Sequence, residues 1–262
     1  MKIQLLDHGS IELVEHWGSD ERIIEAARMS TDKGFLGWGT WTCPRCGFST
    51  EHVDDWRVSC AGCGGNTSPA EHKPGDEKLL RYLYENRHDT PFEMAGVILE
   101  VQAPIFVFRE WHRHRTWSYN EMSARYIPLP DVTYVPTIER FMLNVKDGNK
   151  QAGIVKDAEE MTEKVATQLQ AEEEAWNRAA EVYYQRKLIL GVPKEIARTH
   201  LPVARYSRMR AQVNLRNALA FLTLRNSPKA QYEIRVYAEA TQTILKGLFP
   251  RTLELYEGGA RK

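Results

Sequence analysis

The sequence predicts an α/β (α+β) fold of short apolar strands and long helices, interrupted by a small zinc-ribbon-like insertion. Three observations predict it. Short apolar runs bounded by turn residues alternate with stretches of helical period. Near residues 35–75 the aliphatic residues give way to Gly, Cys, Thr, Trp and Ser. Inside that break the chain's 4 cysteines form two C-x2-C pairs, Cys43/Cys46 and Cys60/Cys63.

In chain order, Lys2–Leu6 and Ile11–Val14 read as strands around a turn at Gly9. Ser19-Asp20 caps a helix through Glu21–Ala27. Glu77–Arg87 is a helix with Leu79, Leu80 and Leu83 on one face. Met94–Val101 is an apolar strand, and Pro104 starts a helix that carries Ile105, Phe108 and Trp111 inward. Met122–Tyr126 is a short strand or turn, followed by an extended stretch holding Pro128, Pro130 and Pro136. Asp157–Leu190 is a long packing helix with an apolar stripe of Met161, Val165, Leu169, Trp176, Ala180 and Tyr183. Pro193–Thr199 is a short helix and Arg205–Val213 a strand. Asn214–Arg225 and Ala230–Leu248 are helices parted by Asn226-Ser227-Pro228.

Composition narrows the function classes. With 262 residues the chain is long enough for a substantial core, and its 42% apolar and 27% charged content is that of a globular protein. The most apolar run, Ala95–Phe108, is shorter than the ~20 residues of a membrane span and holds Glu100. The first residues lack a secretion-signal pattern, so the cytoplasm is the expected location. Lys plus Arg equals Asp plus Glu at 35 each, which gives no overall pull towards nucleic acid or membrane.

The two cysteine pairs, separated by 13 residues, have the layout of thiolate knuckles around a structural zinc, with Pro44, Gly47, Gly62, Gly64 and Gly65 at the turns. Two disulfides, disfavoured in a cytoplasmic chain, or four free thiols are the alternatives. A segment this poor in aliphatics cannot offset its own ordering cost, and zinc supplies what is missing. Once four thiolates hold the metal, no position remains for catalytic water and no thiol for covalent catalysis. His52 and His72 flank the segment and are not needed as ligands.

Arginines crowd two stretches: Arg109, Arg113, Arg115 and Arg125, then Arg198, Arg205, Arg208, Arg210, Arg216 and Arg225. Guanidinium clusters suit phosphate or carboxylate, although pairing with surface glutamates is an equal alternative on composition alone. The densest polar run, His112–Tyr126, follows directly on a strand and helix expected to be buried. A phosphate-bearing ligand with a polar ring would compensate it.

Arg113-His114-Arg115, seven residues, then Ser123 resembles the RHR-x7-S motif of flavin-dependent thymidylate synthases. The likeness continues through Ser118–Tyr126, which is similar to that family's S-x-N-E-x-S-x-R-Y. It extends to Ala26–Ser30, His88–Glu93, Ala197-Arg198 with Leu201-Pro202, Asn214–Arg225 and Ala230–Ile234. Nearly the whole chain is covered, with Phe35–Gly75 standing out as an insertion. The implied domains are a catalytic one over 1–34 and 76–262 and the zinc-ribbon-like segment over 35–75.

The resemblance implies a subunit with a mixed sheet and long helices, assembled as a homotetramer with active sites at subunit interfaces. It implies conversion of dUMP to dTMP, with methylenetetrahydrofolate as carbon donor and FAD, reduced by NADPH, as hydride source. Arg113, Glu121, Ser123 and Arg225 would form the catalytic set, and these with Arg125 and Arg198 would hold dUMP. Ser30, His88, Thr90, Arg113, His114, Arg115, Glu121, Asn214 and Arg216 would meet the flavin. Ser123 would bind rather than attack, since no base is dedicated to it. Three positions depart from the family pattern: Glu110, Ala220 and Lys229. A carboxylate at Glu110 is expected to pair with Arg109 or Arg113. Two other readings stand beside this one: a variant enzyme adding another one-carbon group, such as hydroxymethyl, to a pyrimidine nucleotide, and a zinc-ribbon nucleic-acid-binding module.

Overall fold

A computed structural model describes residues 1–50, 60, 62–64, 71–73, 75–143 and 160–260. His52, Gly65 and the expected helix start at Asp157 lie outside the described residues. In chain order the elements are β1 (Lys2–Leu5), β2 (Gly9–Trp17), α1 (Asp20–Arg28), β3 (Thr40–Thr42), β4 (Ser49–Thr50), β5 (Glu71–Lys73), α2 (Glu77–Glu85), β6 (Gly96–Pro104), α3 (Ile105–Trp111), β7 (Ser118–Glu121), α4 (Ile138–Phe141), α5 (Glu163–Ile189), α6 (Lys194–Ala197), β8 (Tyr206–Asn214), α7 (Leu215–Arg225), α8 (Tyr232–Leu248) and α9 (Pro250–Glu257). The expected α/β class holds. The strand near Met122 lies instead at Ser118–Glu121, and α9, not anticipated as a separate helix, starts at Pro250.

The chain divides into two units. One comprises Met1–His16, Val97–Val213 and Asn217–Ile244. Its sheet runs β1-β2-β6-β8-β7, and both outer pairs are antiparallel, with Ile3 opposite Ile11 and Tyr119 opposite Ala211. Leu99 and Val101 on β6 and Ala211 and Val213 on β8 are buried and alternate with more exposed neighbours, the two-residue period of strands with one covered face. Trp111 stacks on Phe221 at 5.0 Å and meets Tyr237 edge-on at 6.0 Å. The Tyr237 hydroxyl donates to the Gln102 carbonyl at 2.7 Å. Gly9 makes room for that ring, since a Cβ there would fall 2.0 Å from the hydroxyl oxygen.

Helix α5 corrects the expected stripe. Val165, Trp176 and Tyr183 are exposed, Trp176 to 70%, while Ala166, Asn177, Glu181 and Tyr184 face inward. The inward face is one residue on, roughly 100° around the helix. Its register follows from charge: buried Arg205 meets Glu181 at 2.7 Å and Asp131 at 2.9 Å, and only the observed face delivers a carboxylate there.

The other unit comprises Trp17–Gly96, Asn214–Arg216 and Leu245–Lys262. Ser19 caps α1, accepting from the Arg22 amide at 3.3 Å, and Ile23 and Ile24 are fully buried. Buried Asp20 accepts the amides of Arg251 at 2.9 Å and Thr252 at 3.3 Å and the Thr252 hydroxyl at 2.6 Å. It thereby supplies acceptors for the first turn of α9, whose amides have no intrahelical partner. Asp20→Ala is therefore expected to destabilise the protein by about 1–3 kcal/mol, checked by denaturant unfolding.

The short strands between which the cysteines lie form a sheet of order β4-β3-β5, antiparallel throughout. Its two flanks are tied together. The Leu36 amide donates to Asp76 Oδ2 at 2.9 Å, the Asp76 amide donates to the Gly37 carbonyl at 3.0 Å, and the Gly39 amide donates to Glu77 Oε1 at 2.5 Å. Arg28 also pairs with Asp76, and Trp38 Nε1 donates to Glu21 at 2.7 Å.

Candidate active site

The polar run His112–Tyr126 begins where α3 ends and continues through β7. The α3 start is fixed by amides of Ile105 and Phe106 donating to the carbonyls of Arg205 and Val203 at 2.9 and 3.0 Å. The far end is fixed by the Met122 amide donating to the Arg208 carbonyl at 2.8 Å. The Tyr119 hydroxyl, donating towards the carbonyls of Trp111 and His114 at 3.0 and 2.9 Å, closes the intervening loop. Burial pushes the Tyr119 phenol well above its ordinary range, so it stays a donor.

Within this unit the predicted residues fall into two groups. In the first, Arg225 Nη1 meets Glu110 Oε2 at 2.7 Å, Nη2 donates to the Glu110 carbonyl at 2.9 Å, and Nε donates to His114 Nε2 at 2.9 Å. The partner of Glu110 is thus Arg225, not Arg109 or Arg113 as the sequence suggested. The reason is reach: from α7, Arg225 meets both the side chain and the carbonyl of Glu110, a two-point contact. Because Arg225 donates to Nε2, His114 carries its proton on Nδ1.

Burial, with the Arg225 and Arg113 charges, brings His114 down to about 4, against an opposing pull from Glu110. That lies below the ordinary 6.5, so folding favours the neutral ring. The stability it contributes is complete above about pH 6.5 and is lost as the pH falls towards 4. In an NMR titration His114 is expected to titrate near 4, and His114→Gln to flatten the acid limb of thermal stability. A midpoint near 6.5 would refute this.

In the second group, Glu121 and Arg198 line one cavity of about 180 Å³, walled by Ile105, Met122 and Leu201. Arg125 reaches Glu195 at 3.7 Å, and Ser123 Oγ accepts from the Arg125 amide at 3.3 Å. Arg113 and Arg115 are exposed. No hydrogen bond or ion pair joins Arg225 to Glu121, Ser123 or Arg198 among the described residues. Sequence reasoning missed the Arg225–Glu110 pairing, which joins residues far apart in the chain.

The remaining predicted flavin residues belong to the other unit, described by itself. Ser30 sits in a single turn after α1, its hydroxyl donating to the Ala27 carbonyl at 3.2 Å. His88 follows α2, with its amide on the Leu83 carbonyl at 2.9 Å, and Thr90 opens the next short helix. Asn214 ends β8, and Arg216 bridges Asp89 at 3.3 Å and Glu93 at 2.5 Å. That bridge brings Arg216 to the His88–Glu93 segment.

The cysteines converge. The Sγ atoms of Cys43, Cys46, Cys60 and Cys63 all lie within 4.8 Å of one another, and Cys46 and Cys60 are 3.6 Å apart. Zinc–sulfur bonds of about 2.3 Å demand tetrahedral edges of roughly 3.8 Å, so the donor set fits that ion. Burial opposes ionisation of Cys43, but the backbone amides of Cys46 and Arg45 together with the thiols of Cys46 and Cys60 bring its thiol down to about 7.

Arginines on the helices and strands beside the sheet, a histidine held neutral and a small cavity lined by Arg109 and Arg198 are the features of a site for an anionic ligand. The family model described as "Thymidylate synthase complementing protein" matches residues 12–251. The chain is 34% identical over 248 residues to the flavin-dependent thymidylate synthase of Wolbachia pipientis wMel, covering 94% of this chain and 73% of that protein. To the enzyme of that name from Rickettsia prowazekii (strain Madrid E) it is 32% identical over 267 residues, covering 97% and 78%. Among solved structures it matches the UMP/dUMP methylase PolB from Streptomyces cacaoi bound with 5-Br UMP, at TM-score 0.71 and 31% identity, covering 99% of each chain. The same methylase bound with 5-Br dUMP matches at TM-score 0.71 and 32% identity, covering 98% of this chain and 97% of that one. The chain belongs to the flavin-dependent thymidylate synthase family.

Proposed function

We propose that this chain converts dUMP to dTMP, with methylenetetrahydrofolate as carbon donor and FAD, reduced by NADPH, as hydride source. The observation that carries the reading is the Arg113–Tyr126 segment, with its motif intact and Glu121 sharing a cavity with Arg198. When bound, the flavin supplies the hydride and the folate the carbon. The chain's own residues bind, orient and stabilise charge. Guanidiniums of Arg113 and Arg225 offset negative charge building on the pyrimidine carbonyls. Arg125 and Arg198 hold the phosphate, with Ser123 as a further donor, and so fix the ring for transfer. Neutral His114, with Arg113, Arg115, Glu121, Ser30, His88, Thr90, Asn214 and Arg216, holds the flavin.

Ser123 binds rather than attacks: among the described residues no His, Asp or Glu hydrogen-bonds its hydroxyl. No thiol attacks either, because all 4 cysteines belong to the zinc set. Residues 1–34 and 76–262 form the catalytic domain, and 35–75 a structural zinc insertion. The separation of the nucleotide residues into two groups within one unit supports active sites shared between the subunits of a homotetramer. So does α5, which exposes Trp176, Val182, Tyr183 and Ile189. Among the described residues no helix is long and apolar enough to cross a membrane. The enzyme works in the cytoplasm, without nucleic acid.

The test is an anaerobic assay with dUMP, methylenetetrahydrofolate, FAD and NADPH, read by product mass. The expected product is dTMP. A hydroxymethyl product would favour the variant transferase, and no product with a colourless, nucleic-acid-binding protein would favour the binding module. UMP belongs in a parallel arm, since the solved relative is a UMP/dUMP methylase.

A further inference from the structure

The cavity holding Glu121 and Arg198 has two more polar residues in its lining, Arg109 and Ser207. Neither carries a role by resemblance. Arg109 lies in the last turn of α3 and Ser207 near the start of β8, so both sit on regular elements.

Three observations converge on them. Neither Arg109 nor Arg198 has an ion-pair partner among the described residues, in a chain where Arg28, Arg140, Arg205, Arg210, Arg216 and Arg225 all do. Two guanidiniums on one cavity without ion-pair partners leave their donors available to an anion, and phosphate is the anion that guanidinium forks match. Ser207 is 1% exposed and its Oγ has no hydrogen-bond partner. A buried hydroxyl in that state carries a desolvation cost that an acceptor on a ligand removes. Around these donors Ile105, Met122 and Leu201 supply apolar wall, and Glu121 supplies a carboxylate that accepts from a ring N–H or a sugar hydroxyl. Cations, a buried donor, an apolar wall and one carboxylate suit the phosphate and sugar end of a nucleoside 5′-monophosphate, and about 180 Å³ holds that end rather than the whole nucleotide.

We infer that Arg109 and Ser207 are further substrate-binding residues: Arg109 joins Arg198 on the nucleotide phosphate, and Ser207 donates its hydroxyl to a phosphate oxygen. This rests on the reading of the chain as a pyrimidine-nucleotide methylating enzyme. In that arrangement Arg109 reads the phosphate and makes no contact with the base.

Calorimetric titration of the flavin-loaded protein with dUMP and with deoxyuridine tests it, in the wild type, Arg109→Gln, Arg109→Lys and Ser207→Ala. Arg109 is exposed, so its variants keep the fold, monitored by flavin absorbance and thermal midpoint. Arg109→Gln is expected to weaken dUMP about ten- to a hundredfold, leave deoxyuridine unchanged, and be partly rescued in Arg109→Lys. Ser207→Ala is expected to weaken dUMP about three- to tenfold. If Arg109→Gln leaves dUMP affinity unchanged, or weakens dUMP and deoxyuridine equally, the phosphate role is overturned. Wild-type dUMP affinity in Ser207→Ala removes Ser207 from the subsite. Wild-type protein that binds no dUMP overturns the parent reading itself.

Discussion

Arg113→Ala is expected to abolish most dTMP formation while leaving the folded protein intact. Arg113 is exposed and has no ion-pair partner among the described residues, so the fold does not depend on it. Exposed substitutions of this kind shift stability by no more than about 0.5 kcal/mol. Its charge nevertheless acts locally, since it is one of the groups holding His114 neutral. It also heads the motif that carries the assignment. Removing a preorganised donor aimed at developing charge typically lowers kcat about 10²–10³-fold. Turnover with dUMP, measured anaerobically with all cofactors, should fall by that amount while the thermal midpoint stays put. A variant that keeps more than about a tenth of the rate would overturn the role, because that loss is smaller than such a donor's usual contribution.

The second large effect concerns the cysteine cluster. Carefully prepared protein is expected to contain one zinc per chain, and Cys60→Ser to lose it. Cys60 and Cys43 are buried, and Cys46 and Cys63 exposed, so the site is open to a chelator on one side. Structural zinc contributes on the order of 10 kcal/mol to the folding of small modules. The strands it would hold are only two to three residues long, too short to stand without it. Chelation should therefore expose the amides of Thr40–Thr42 and of Cys43–Thr50 to hydrogen exchange, and leave the protection of β6 and β8 unchanged. Well under one metal per chain, or unaltered exchange after chelation, would refute a structural ion.

Local signals in the chain made much of this readable. Ser19 and Pro104 mark element boundaries through cap and ring geometry, and the elements they announce are present, whereas the turn expected at Gly9 lies at residues 6–8 and Gly9 opens β2. The two cysteine pairs announce their own convergence. What was not readable depends on contacts across the chain. The face of α5 could not be taken from apolar spacing, because a buried guanidinium at Arg205 draws Glu181 inward and turns Trp176 outward. The partner of Glu110 could not be taken from spacing either, because it arrives from α7. Arginine count left ligand binding and pairing with carboxylates as equal readings for the same reason. Arg205 is internal and salt-bridged, Arg210 pairs with Glu100 at 2.6 Å, and Arg109 looks like one more surface cation until the cavity beside it is seen.

The hydrogen bonds joining Leu36, Gly37 and Gly39 to Asp76 and Glu77 mean that the cysteine-bearing excursion departs from and returns to one spot. Trp38 strengthens that clasp, its Nε1 donating to Glu21 at 2.7 Å and its ring lying under the Arg251 guanidinium at 4.3 Å. The entropic cost of closing a loop rises slowly with its length, by about 0.6 kcal/mol per doubling. This junction is accordingly a splice port: a shorter turn or a foreign miniature domain can be grafted across it, and the host is expected to accept either so long as Asp76 and Glu77 keep their grip.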